Sequence, residues 1–169
     1  MNTVTDSVFK AAKAVFVVSA LAMSCAALAQ EKNCIELTTV AETAQQYVNE
    51  QGQTATRLAP VGKALPGDEI IWTVTAKNVC SKSVENVVVA NPVPEHMTYV
   101  ANSAIGIGTE IGYSADGKEF KPFAGLTVHG ADGAARAAKA EDVRNIRWTY
   151  SAAFAPGATA FVRYRATLN

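Results

Sequence analysis

"ALPGDEIIWTVTAKNVC", residues 64–80, is the stretch that decides the fold of this 169-residue chain. Pro66 and Gly67 favour a β-turn, because proline presets its own φ and glycine accepts the positive φ that a type II turn requires. After the turn, apolar and polar positions alternate. This period of two is typical of a strand with one buried face. The side chains expected on the apolar face are Ile70, Trp72, Val74 and Ala76, and those expected opposite are Ile71, Thr73, Thr75 and Lys77.

The rest of the chain repeats this pattern, with turn residues at intervals of about ten positions. The segments that read as strands or hairpins are Cys34–Val40, a hairpin turning at Asn49–Gly52, Val84–Pro92, His96–Ser103, a hairpin with a two-residue turn at Asp116–Gly117, Ile146–Phe154, and a last strand after Pro156–Gly157. Only one short helical turn is expected, near Ala138–Val143. About seven to eight strands without a long helix predict an all-β, antiparallel β-sandwich, and a closed barrel is the alternative.

Two tryptophans are the predicted core anchors. Trp72 lies in an early central strand and Trp148 in a late one, so the two indoles could meet across the core. Each buried indole N–H would then need a hydrogen-bond partner. In the last strand, the expected inward-facing side chains are Val162, Tyr164, Ala166 and Leu168.

The N-terminal segment has the pattern of a secretory signal peptide. Lys10 and Lys13 precede the apolar run Ala14–Met23, which is too short to span a bilayer, and a small-x-small site follows. We expect cleavage between Ala29 and Gln30, which leaves 140 residues and no membrane anchor. The alternatives are a retained anchor and lipidation of Cys25. The sequence thus predicts a signal peptide at 1–29, an N-terminal strand and edge hairpin at 30–63, and the remainder of one domain at 64–169.

Charge and cysteine content narrow the class of protein. Lysine plus arginine and aspartate plus glutamate number 15 each, and removal of Lys10, Lys13 and Asp6 leaves a net charge of −1. Such a balance gives no reason to expect nucleic acid or an anionic membrane as a partner. Cleavage would also leave only Cys34 and Cys80, which in an exported chain predict one disulfide. Free thiols or half of a metal site are the alternatives.

No residue pattern indicates a catalytic, cofactor or metal site. His96 is expected to cap a strand entrance and His129 to lie in a solvated loop. Asp68 and Glu69 are adjacent in a strand and so face opposite sides, which disfavours their use as a carboxylate pair. Glu141–Asp142 fits a helix start or a solvated loop better than a site. The glycines of Gly106–Gly112 lack the strand-and-helix context of a dinucleotide site and are expected to bend a β-edge. Two Asp-Gly pairs offer too few oxygen ligands for more than a weak calcium site.

Three stretches together resemble a known family: "PGDEIIWTVTAKNVCSKSVENVVVANPVPEHMTYVANSA", "YSADGKEF" and "IRWTYSAAFAPGATAFVRYRATL". Their order and spacing are similar to those of the bacterial conserved repeat domains, also called domain of unknown function 11, over roughly Ala64–Leu168. The resemblance implies an immunoglobulin-like sandwich in an exported, often cell-surface, protein. Many relatives are tandem repeats without a cysteine pair, so the resemblance does not imply the Cys34–Cys80 bridge.

These observations predict an exported, non-enzymatic protein with a structural or binding role in the bacterial cell envelope. Its partners would be envelope or surface proteins, including further copies of itself, met through an edge such as the Ala44–Leu58 hairpin. One alternative is a filament subunit that donates the segment Gln30–Val40 to its neighbour. Another is an accessory carbohydrate-binding or hydrolytic protein, whose aromatic platform would come from Tyr47, Tyr99, Tyr113 and Phe123.

Overall fold

The computed structural model describes residues 33–169. Cys25, the Ala29–Gln30 cleavage site and the rest of the predicted signal peptide lie outside the described residues. Within residues 33–169, no helix is long and apolar enough to cross a membrane. The strands are β1 (Ile35–Val48), β2 (Thr54–Pro60), β3 (Glu69–Asn78), β4 (Val88–Pro92), β5 (Met97–Tyr99), β6 (Ile105–Gly106), β7 (Thr109–Ser114), β8 (Thr127–His129), β9 (Ala135–Ala137), β10 (Asn145–Tyr150) and β11 (Thr159–Leu168); 3₁₀ turns occupy Phe123–Gly125 and Ala140–Asp142.

Two antiparallel sheets form a β-sandwich, and a small hairpin of β8 and β9 lies beside them. The strand order of the first sheet is β2-β1-β3-β11-β5, with β6 also paired to β11, and that of the second sheet is β4-β10-β7. All pairings between these strands are antiparallel. The predicted all-β, antiparallel sandwich is therefore confirmed, and the first sheet does not close into the alternative barrel.

The core lies between the facing sides of β3 and β11 in the first sheet and β10 and β4 in the second. Trp148 on β10 is fully buried, and its ring lies 6.2 Å from that of Tyr164 on β11. The Tyr164 hydroxyl donates to the Pro92 carbonyl (3.0 Å) and accepts from the Asn91 amide (2.9 Å), which ties the two sheets together. Burial raises the pKa of this hydroxyl. The inward face of β11 has the predicted parity: Val162, Tyr164 and Ala166 are buried and Leu168 is half-buried.

The two tryptophans occupy different environments. Trp72 is only half-buried, because it lies beside β1, opposite Ala41, near the margin of the core. The ring against Trp148 is that of Tyr164, not that of Trp72. Within the described residues neither indole nitrogen has a hydrogen-bond acceptor, contrary to expectation. Burying an indole ring contributes about 4 to 6 kcal/mol, which exceeds the cost of about 1 to 3 kcal/mol for one unmade hydrogen bond.

Several boundaries differ from the sequence-based prediction. Cys34–Val40 and the first arm of the Asn49–Gly52 hairpin form one continuous strand, β1, of 14 residues. The bridge between Tyr113 and Lys121 closes a longer loop than the two-residue turn predicted at Asp116–Gly117. The Ser114 side chain organises that loop, because its hydroxyl accepts from the Gly117 amide (2.9 Å) and donates to Asp116. Such side-chain bonds to backbone stabilise a wider turn than an Asp-Gly pair alone would indicate.

Gly106 in β6 is expected to tolerate no side chain. A Cβ atom there would lie 2.6 Å from the Thr109 hydroxyl, 2.9 Å from Cδ1 of Trp148 and 3.0 Å from Cγ1 of Val162. Gly106→Ala should therefore lower the free energy of unfolding by about 1 to 3 kcal/mol, since the core cannot accept the methyl group without shifting. Gly62→Ala is the matched control, because no atom lies within 4 Å of its Cβ position. Urea unfolding would measure both, and equal midpoints would contradict the close approach to Trp148.

Candidate functional site

The two histidines belong to different elements of the fold. His96 is exposed at the entrance to β5, as the sequence predicts for a strand cap, and its carbonyl accepts from the Asn169 amide (2.8 Å). His129 is exposed at the end of β8. The backbone of His96 has φ of 62°, a left-handed conformation that often occurs in tight turns. Turn geometry therefore accounts for the position of His96 at the strand entrance.

The acidic pairs singled out by the sequence are engaged in structural contacts. The Asp68 carboxylate accepts from the Leu65 amide (2.8 Å) within the turn before β3, and Glu69 forms a 2.8 Å ion pair with Arg165 on β11. Asp142 accepts two hydrogen bonds from the Arg136 guanidinium, at 2.7 and 2.8 Å. That guanidinium, together with the Lys139 backbone amide, lowers the pKa of Asp142 to about 2. These carboxylates hold loops and strands together and do not converge.

The Asp-Gly loops also use their oxygens internally. Oδ1 of Asp116 accepts from the amides of Lys118 and Glu119, and Oδ1 of Asp132 accepts from the Ala134 amide. These are the hydrogen bonds of Asx turns. Across residues 33–169, no group of three or more His, Cys, Asp or Glu side chains lies close enough to hold a metal ion.

The proposed aromatic platform is mostly internal. Tyr99, Tyr113 and Phe123 stack in series, with ring centroids 5.6 and 5.5 Å apart, and the hydroxyl groups of the two tyrosines lie 3.3 Å apart. Burial raises the pKa of Tyr113. Of the four candidates only Tyr47 is exposed, at 40 %. One exposed ring provides no platform on which a sugar chain could stack.

A groove of about 470 Å³ lies between the Ser114–Lys121 loop and β8. Its lining includes Asp116, Glu119 and Lys121, together with Leu126 and His129. Oδ1 of Asp116 already accepts from backbone amides, and Lys121 pairs with Glu119 at 3.1 Å. The charged groups of the groove are thus engaged in contacts within the protein.

The outer edge of β1 is the feature of the fold that these contacts leave open. Even-numbered residues of β1 bond to β3, since the Val79 amide donates to the Cys34 carbonyl (2.9 Å). Odd-numbered residues therefore direct their N–H and C=O groups to the other side. There β2 pairs only with Glu42–Val48, and the Val61 amide donates to the Ala41 carbonyl (3.1 Å). Within residues 33–169, no strand pairs with this outward side of Ile35–Thr39, which we call the open edge.

Beyond the open edge, β1 and β2 continue as a two-stranded ribbon that we call the arm, residues 43–59. It has no pairing partner in β3, whose register with β1 ends at Glu42. Its loop closes through the Gly52 amide and the Asn49 carbonyl (3.0 Å), and Arg57 covers the Tyr47 ring at 5.3 Å. Val48 is nevertheless 68 % exposed. A two-stranded ribbon without a packed face is only marginally stable in water, so a partner would stabilise the arm.

Together the open edge and the arm present unpaired backbone groups and apolar side chains. Leu37 on the open edge is 48 % exposed and Val40 beside it is 45 % exposed. An edge of this kind can accept an additional strand through main-chain hydrogen bonds. The sequence predicted a weakly apolar hairpin at an edge but did not indicate the open edge. The hydrophobic pattern of Ile35–Thr39 is the same as that of a strand paired on both sides.

The disulfide lies at the start of this surface. Cys34 and Cys80 are bonded, with their Cα atoms 5.1 Å apart, so the beginning of β1 is tied to the residues that follow β3. The Asn33 side chain also accepts from the Ile35 amide (3.3 Å) and so caps the first N–H of the open edge. These two contacts hold the N-terminal end of β1 in place.

Comparison with known proteins found no match: no protein-family model, no curated protein and no solved structure is similar to this chain.

Proposed function

We propose that this protein is an exported, non-catalytic β-sandwich that binds other proteins in the bacterial cell envelope through the open edge and the arm. The observation that carries the proposal is the outward side of Ile35–Thr39, where no strand of the described residues pairs with the backbone, and which continues into a ribbon exposed on both faces. Unpaired edges are normally blocked in monomeric proteins, because they attract further strands. A partner strand would satisfy these groups.

Three further observations support the cell envelope as the place of action. The signal-peptide pattern before Gln30 favours export, and the Cys34–Cys80 disulfide is typical of an oxidising compartment. The resemblance to conserved repeat domains, which stays a prediction, favours the same location. The intramolecular disulfide and the pairing of β1 with β3 also weigh against donation of Gln30–Val40 to a neighbouring subunit.

Site-specific photo-crosslinking in cells would test this function. A photoreactive side chain at Tyr47 in the arm should capture an envelope protein, and cell fractionation should place the adduct outside the cytoplasm. Val88 on β4 is the matched control position, because it is similarly exposed but lies on the other sheet. Recovery of the protein in the cytoplasm, or equal capture at both positions, would contradict the proposal.

A further inference from the structure

The open edge has defined limits. Ile35 marks its start, because the Asn33 side chain already occupies the Ile35 amide, and the Val61 amide occupies the Ala41 carbonyl at the other end. Between these limits the outward backbone groups belong to Ile35, Leu37 and Thr39. A pairing strand therefore has room for about five residues.

Features that block pairing occur in four other edge strands of the described residues, β2, β4, β5 and β6. β5 has three residues and β6 has two, which is too short for a stable ladder. β4 ends in Pro92, with Pro94 following, and β2 ends in Pro60. Proline and short length are both means by which proteins prevent edge-to-edge association. The open edge has neither feature, and Glu36 is its only charged residue.

The sequence of the open edge is complementary to itself. In an antiparallel pair centred on Leu37, each Leu37 lies opposite its counterpart, Ile35 lies opposite Thr39, and Glu36 lies opposite Thr38. In this register the odd-numbered residues of one copy, whose N–H and C=O groups point outward, lie opposite the odd-numbered residues of the other copy. An antiparallel ladder requires this match. Moving the two-fold axis from Leu37 to Glu36 would place Glu36 opposite Glu36, and moving it to Thr39 would place Glu36 opposite Glu42, so like charges disfavour both registers.

We propose that two copies of this chain pair through their open edges, about a two-fold axis at Leu37, into one continuous sheet. This pairing deepens the proposed function, on which it rests, by naming a second copy as a partner. It forms about four ladder hydrogen bonds, because the Ile35 amide of each copy stays bonded to Asn33. It also covers the exposed Leu37 side chains with each other. The two-fold arrangement uses the open edge of each copy once, so it closes as a dimer and does not extend into a fibre.

A cysteine at position 37 would report this register directly. Opposed residues of a hydrogen-bonded antiparallel pair have Cα atoms about 5.5 Å apart, which a disulfide can span. Mild oxidation of Leu37→Cys should therefore give a covalent dimer on a non-reducing gel. Thr39→Cys is the matched control, because its counterpart would lie about 14 Å away, and it should stay monomeric.

A second pair of variants tests the backbone. The Thr39 amide points away from β3, so Thr39→Pro removes a donor from the open edge and none from the bond ladder to β3. By symmetry it removes two bonds of the dimer, which should weaken association by about 100-fold, whereas Thr39→Val should leave it unchanged. Sedimentation equilibrium measures the difference, and circular dichroism checks that both variants fold.

A wild-type protein that stays monomeric at all concentrations, with no covalent dimer of Leu37→Cys, would overturn the self-pairing. Equal dimerisation of Thr39→Pro and Thr39→Val would also overturn it, since the open edge would then not be the interface. The photo-crosslinks from Tyr47 decide separately on the proposed function. If the dimer experiments fail but Tyr47 still crosslinks to an envelope protein of different mass, the binding function stands and the second copy is not the partner.

Discussion

Asn78→Asp is expected to destabilise the protein by about 4 kcal/mol at pH 7, the cost of a pKa raised by about three units. Asn78 is fully buried at the end of β3. Its side-chain NH₂ donates to the carbonyls of Lys82 (2.8 Å), Phe154 (2.8 Å) and Ala155 (3.2 Å), while Oδ1 accepts from the Cys80 amide (2.9 Å). An aspartate keeps the acceptor but turns the donor group into an oxygen that faces three carbonyl oxygens.

The pH dependence of this variant follows from the same geometry. Burial and the facing carbonyls would raise the pKa of an aspartate at position 78 above its value of about 3.9 in the unfolded chain. The folded state then binds more protons than the unfolded state, so stability falls as pH rises. The loss should be about 1.4 kcal/mol per pH unit between pH 4 and the raised pKa. Urea unfolding of the variant at pH 4, 5, 6 and 7 would measure it.

Asn49→Asp is the matched control. Oδ1 of Asn49 also accepts from backbone amides, those of Gln51 (3.1 Å) and Gln53 (2.9 Å), but its amide nitrogen has only a 3.5 Å contact with Gln53. Because this loop is at the surface, the change should cost under about 0.5 kcal/mol. If Asn78→Asp were equally mild, or showed no decrease in stability with pH, the buried donor network would not be a main support of the fold.

Removal of the disulfide has the second large expected effect. The bond joins residues 46 positions apart in the sequence. Closing a loop of that length in the unfolded chain corresponds to about 4 kcal/mol in the loop-entropy model. Cys34→Ser with Cys80→Ser should therefore lower the free energy of unfolding by an amount of that order, measured by urea unfolding of the variant and of the oxidised wild type.

The loss should also be local. The start of β1 has few buried side chains, so the disulfide and the ladder to β3 are its main constraints. Hydrogen exchange should rise first for the amides of Glu36, Thr38 and Val40, which bond to β3, while β10 stays protected around Trp148. Uniform loss of protection would contradict this, and so would a stability change under about 1 kcal/mol.

Local patterns in the sequence were enough to predict most of the secondary structure. The alternation after Asp68 indicated β3 and its inward face, and the alternation near the C terminus indicated Val162, Tyr164 and Ala166 as core residues. These predictions succeed because successive side chains of a strand point to opposite faces, whatever the strand pairs with. The hairpin at Asn49–Gly52 also followed from local turn chemistry.

Long-range geometry determined the candidate site. The sequence of Ile35–Thr39 does not reveal that β2 pairs only with the later part of β1, because that register depends on where Val61 and Ala41 meet. The sequence also does not reveal that the Asn78 amide donates to carbonyls of the distant segment Phe154–Ala155 as well as to that of the nearby Lys82. The choice of Tyr164 over Trp72 as the neighbour of Trp148 depends on how the two sheets are placed.

The sequence by itself determined the all-β class, the inward parity of its main strands and the cysteine pair, since each depends on residue type and local spacing. Only the tertiary structure decided which strand edge is left unpaired and which apolar side chains are left uncovered. The physical reason is that strands pair through backbone N–H and C=O groups, which are the same for every residue except proline. The side-chain pattern of the open edge therefore does not indicate whether another strand pairs with it.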